Sequence, residues 1–109
     1  MSDSIRLASF FGGVALAITV AGVSAGEIDE QRARELQHLL VQECGSCHGL
    51  QLTGGLGPPL TPDALEDRGD TGLKAVILHG VPGTAMPPWK GLLTEEEAEW
   101  LVDFLREGL

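Results

Sequence analysis

Cysteine occurs only twice in the 109 residues, at Cys44 and Cys47. That excludes a multi-disulfide framework, and with no cysteine ahead of Cys44 it excludes a lipidated bacterial N-terminus. A structural disulfide between the pair would close so short a loop that it would stabilise little. A zinc site would have to add a distant histidine to Cys44, Cys47 and His48. Aromatic side chains are scarce: two Trp, three Phe and no Tyr. Phe10 and Phe11 lie in the N-terminal apolar run, so Trp89, Trp100 and Phe104 are all that remain for a core. Basic residues are few as well, seven Lys and Arg against sixteen Asp and Glu, for a net charge of −9. So acidic a chain is a poor partner for nucleic acid or an anionic membrane surface, and suits a protein with a basic docking patch. No alternating apolar pattern marks a strand, which removes the βαβ setting of a thioredoxin-like dithiol. No Gly-Lys-Ser/Thr ending turns the glycine-rich stretch into a phosphate loop.

What is present concentrates on Cys44-Gly45-Ser46-Cys47-His48. Cys-x-x-Cys-His is the attachment signature of a c-type haem. Two cysteines three apart on one helical turn face the same side, where their thiols can add to the two vinyl groups of a porphyrin as thioethers. His48 follows at once and is placed to bind the iron from below as an axial ligand. For the other axial position Met86 is the candidate, because Pro87 and Pro88 hold the backbone rigid beside it. A lone methionine is otherwise core filler, and His79, seven residues earlier, is the competitor. Met/His ligation gives the higher potential. With both axial positions filled no open site is left for substrate or oxygen, which predicts an electron carrier and not an enzyme.

The N-terminus reads as an export signal. Leu7 to Val20 is apolar and uncharged, and Val23-Ser24-Ala25 offers small residues for cleavage after Ala25. The expected division is 1–25 as signal peptide and 26–109 as one haem domain in the periplasm, with no stable membrane insertion after cleavage. The alternative is a retained anchor, since Leu7 to Gly26 is an uncharged run just long enough to span a bilayer. Asp3 and Arg6 cancel, so cleavage leaves the net charge unchanged.

Beyond the signal, Glu27 to Glu43 predicts a helix, with Ala33, Leu36, Leu40 and Cys44 recurring at helical spacing and Leu39 widening the stripe. His38 falls beside that stripe as a surface residue. Leu50 to Leu60 is a Gly/Pro loop, read as backbone passing close to a flat ligand. Thr61-Pro62 starts a short helix to about Asp67. Asp70 or Thr71 caps another, about Gly72 to His79, with Leu73, Val76 and Ile77 inward and Gly80 as its stop. Val81 to Gly91 is a second loop. Thr94 and Glu97 form a capping box for a helix over Glu95 to Glu107, with Trp100, Leu101, Phe104 and Leu105 on its apolar face. So small a domain with so few aromatics predicts an apo chain that is largely unfolded without its haem.

Cys44 to His48, Gly57-Pro58, Ile77, Gly80, Met86-Pro87 and a closing helix through Asp103-Phe104-Leu105 stand in the order and spacing of the class I c-type cytochromes, which the chain resembles over Glu27 to Leu109. The resemblance implies an all-α fold of three to four helices around one covalent haem c, the terminal helices crossing beside it with Trp100 or Phe104 at the crossing. It also implies that the Pro58 carbonyl accepts the second ring N–H of His48. Gly54 to Pro62 with His79-Gly80 and Pro82 to Trp89 resembles more narrowly the c-55X group, small periplasmic cytochromes encoded alongside the haem-d nitrite reductase of denitrifiers. That implies electron donation to the reductase or, alternatively, an accessory role in maturing its haem d.

Overall fold

The computed structural model describes residues 12–19 and 27–109. The cleavage motif at Val23 to Ala25 and most of the predicted signal lie outside the described residues. Residues 12–19 are exposed and without regular structure. Among the described residues no helix is long and apolar enough to cross a membrane.

From residue 27 onward the chain is helical, with no strand among the described residues. Helix α1 spans Glu30–Leu39. Its start differs from the expected Glu27 because Asp29 is the cap, its carboxylate accepting from the Arg32 amide at 2.7 Å. A π-helical turn, Leu40–Cys44, continues it directly into α2, Gly45–His48. After the Gly/Pro loop come α3 at Pro62–Leu65 and α4 at Asp70–His79. Gly69, not Asp70 or Thr71, occupies the α4 cap position, because the Asp70 carboxylate is drawn to Arg106 Nε at 2.6 Å. Helix α5 spans Glu95–Glu107, and both halves of its capping box are made: the Glu97 amide donates to Thr94 Oγ1 at 3.1 Å and the Thr94 amide to Glu97 Oε2 at 3.0 Å.

The core is aliphatic. Leu36 and Leu40 on the α1 side meet Ala98, Leu101 and Leu105 of α5, with Leu52, Leu65, Leu78 and Leu93 closing round them. Ala33 and Leu39 are only part-buried. On α4 the fully buried residue is Leu78, while Leu73, Val76 and Ile77 are part-buried. None of the three aromatics is fully buried; Trp100 and Phe104 stack on each other, centroids 5.2 Å apart, and pack against the core from its margin. Two arginines tie the helices together. Arg32 Nε donates to Glu97 Oε1 at 2.5 Å, joining α1 to the start of α5. Arg106 joins the end of α5 to Asp70 and to the carbonyls of Leu65 and Arg68.

Candidate haem-attachment site

The core leucines of α1 run into the attachment segment through the π-helical turn. There the Gly45 amide reaches back five residues to the Leu40 carbonyl, one more than in an α-helix. Such turns are frequent at functional sites. Ser46 Oγ donates to the Glu43 carbonyl at 2.7 Å, which keeps this hydroxyl off the backbone of the motif itself. Cys44 and Cys47 are part-buried free thiols, not joined to each other. Burial, helped by the neighbouring Glu43 charge, pushes the Cys44 thiol up to about 11.

His48 is held from two directions. Its Nδ1 lies 2.6 Å from the Pro58 carbonyl oxygen. That contact makes Nδ1 the protonated nitrogen and leaves the Nε2 lone pair free. Gly57 lies flat against the ring: a Cβ there would stand 2.6 Å from His48 Cε1 and 2.7 Å from Nδ1. The Gly57 amide donates to the Cys47 carbonyl at 2.8 Å and the Gly54 amide to the His48 carbonyl at 2.8 Å. The Gly/Pro loop is thus sewn onto the motif. The close approaches of its glycines to protein atoms are to the His48 ring and to main-chain carbonyls.

Cys44, Cys47, His48 and Pro58 are brought together; Met86 sits on a different element, the α4–α5 connection. It is part-buried. Its carbonyl accepts from the Val81 amide at 3.1 Å, and its amide donates to Thr84 Oγ1 at 3.3 Å. Thr84 and the tight seat against Gly80 are features that spacing did not reveal; a threonine two residues ahead of the methionine is the only local sign of the first. His79 is exposed at the end of α4, and His38 is exposed on α1.

The donor set suits haem c. Two free thiols are what thioether attachment to the porphyrin vinyl groups needs, and an imidazole with one nitrogen already engaged and a thioether are ligands suited to its iron. Among the described residues no group of three or more His, Cys, Asp or Glu gathers to hold a metal ion, so the zinc arrangement has no support there. A cavity of about 490 Å³ opens between the Gln51–Thr53 stretch, Leu60–Pro62 and the end of α5. It touches none of Cys44, Cys47, His48 or Met86, and the attachment chemistry therefore lies elsewhere.

Comparison with known proteins agrees with this reading. The family described as cytochrome c oxidase, cbb3-type, subunit III matches residues 31–105. Cytochrome c55X of Pseudomonas aeruginosa is 53% identical, over 97% of this chain and 92% of that one. Among solved structures, the c-type cytochrome NirC is 58% identical with a TM-score of 0.71, covering 72% of this chain and 93% of that one. The dihydro-heme d1 dehydrogenase NirN, solved in complex with DHE, is 37% identical with a TM-score of 0.62, over 67% of this chain but only 16% of NirN. With its all-α fold, its Cys-x-x-Cys-His segment and these relatives, the chain belongs to the class I c-type cytochromes, within the cytochrome c55X group, and carries covalently bound haem c.

Proposed function

We propose that the protein is an exported, periplasmic one-electron carrier that donates to a nitrite reductase. The observation that carries the proposal is the way His48 is held: Pro58 engages Nδ1, so Nε2 is presented for iron on the same turn that offers Cys44 and Cys47 for the two thioethers. Met86 supplies the second axial ligand from the α4–α5 loop. Haem c contributes a one-electron ferric–ferrous couple. The chain's part is to attach it through Cys44 and Cys47, to hold the His48 ring in one orientation, and to keep both axial positions filled so that neither oxygen nor substrate binds. The acidic surface, net −9, then favours a redox partner with a basic docking patch.

The experiment is reduction of purified nitrite reductase by the ferrous protein under stopped flow. Fast electron transfer that slows steeply as ionic strength rises supports the proposal; no transfer at low salt overturns the donor role. One observation favours a second reading, an accessory part in maturing the reductase's haem d: the chain also resembles a small portion of a dihydro-heme d1 dehydrogenase. That reading predicts electron exchange with such a dehydrogenase in place of the reductase.

A further inference from the structure

The stiffness of the Met86 loop has a cause beyond its two prolines. Helix α4 ends at His79, and the chain leaves through Gly80 at φ 66°, ψ −169°, a conformation open essentially to glycine alone. A Cβ built on Gly80 would stand 2.6 Å from the Met86 carbonyl oxygen, 2.8 Å from the Pro87 carbonyl carbon and 2.8 Å from the Pro88 nitrogen. All three are main-chain atoms flanking the methionine, so no rotamer change can relieve the contact. The surrounding bonds point the same way. The Val81 amide donates to the Met86 carbonyl at 3.1 Å, and Thr84 Oγ1 donates to the Val81 carbonyl at 2.7 Å while accepting from the Met86 amide. The Trp89 and Lys90 amides donate to the Ile77 and Leu78 carbonyls at 3.0 and 3.1 Å. Residues 86–90 are thus laid back along the last turn of α4.

We propose that Gly80 is a positioning residue for the axial methionine: its missing side chain lets the Met86–Pro88 backbone sit directly on the end of α4, and that seat sets where the Met86 thioether stands. The inference rests on Met86 being an iron ligand. The competing role for Gly80 is only to stop α4, and Gly83 separates the two. Gly83 lies in the same loop at φ 78°, but nothing comes within 4 Å of a Cβ built there. Gly83→Ala therefore also places a side chain at positive φ, but without pushing on Met86.

The test compares ferric holoprotein of the wild type, Gly80→Ala and Gly83→Ala by the long-wavelength methionine–ferric absorption band, the midpoint potential and an imidazole titration. Wild type and Gly83→Ala should keep the band. Gly80→Ala should lose it, show a lower potential and bind imidazole roughly ten- to a hundredfold more tightly, equivalent to about 1.4–2.8 kcal/mol taken from the native ligand. A Gly80→Ala holoprotein with band and potential unchanged overturns the inference. A wild type without the band overturns Met86 ligation instead. A readout on the wild type alone needs no variant: saturating imidazole, which displaces Met86, should speed amide exchange at Val81 but not at Leu101 or Leu105. Unchanged exchange at Val81 overturns the seat.

Discussion

The Pro58 carbonyl settles which nitrogen of His48 is free, and Gly57 settles where the ring can lie. With a Cβ only 2.6 Å from His48 Cε1, Gly57→Ala must tilt the ring or displace the Pro58 carbonyl. The expected outcome is a holoprotein with a shifted midpoint potential and Soret maximum; values identical to wild type would show that the ring tolerates the push. The two cysteines carry a plainer prediction. Cys44→Ala or Cys47→Ala should abolish stable attachment, read as loss of haem staining on a denaturing gel. At this scale the motif is legible because its chemistry is local: three side chains within five residues. The Pro58 partner was not legible in that way. It lies ten residues from His48, and it came only through family resemblance, because a main-chain carbonyl leaves no mark on side-chain spacing.

Among the elements, α5 was the most readable, since a capping box is a contact between residues three apart and a broad apolar face needs only its own periodicity. Its role in the molecule was less readable. Glu97 closes the box and also accepts from Arg32 on α1. That guanidinium, by hydrogen bond first, holds the Glu97 carboxyl below its usual range. A carboxylate with a lowered folded pKa adds stability above its unfolded value and loses it as pH falls through the folded one. Glu97→Gln keeps the capping geometry and removes the charge. It should cost less than about 1 kcal/mol at neutral pH, and its melting curve should converge with wild type as pH falls through and below the ordinary glutamate range. Thermal melts of the holoprotein across that range check this, and parallel curves would show that the pair contributes nothing. The π-helical turn was not legible at all. One extra residue per turn leaves the apolar spacing of Leu36, Leu40 and Cys44 looking like ordinary helix, and only the Gly45 to Leu40 hydrogen bond reveals it.

At the scale of the whole molecule, the buried hydrophobic set among the described residues is leucine, alanine and valine, and Trp89, Trp100 and Phe104 sit at its margin. So small a core supplies little surplus over chain entropy. Protein lacking both cysteines, and so lacking covalent haem, should show weak far-UV helicity and no cooperative melt. A native-like, cooperative transition of that form would overturn the expectation. Several core members escaped the sequence reading for one reason. Leu52 sits in the Gly/Pro loop at φ 60° and is buried, and Leu65, Leu78, Leu93 and Val102 are buried by neighbours distant along the chain. Periodicity reports which residues share a face of one element. It does not report which loop residues another element will cover.

The sequence alone determined the helical class, the attachment motif, the acidic surface, the cap and length of α5 and the family, because each rests on residues close together or on composition. Tertiary structure decided the rest. It set Pro58 against His48, Gly57 under the ring, Gly80 beneath the Met86 backbone and Arg32 on Glu97. These are contacts between main-chain atoms, or between residues far apart in the chain, where close approach depends on how the loops are laid over the helices.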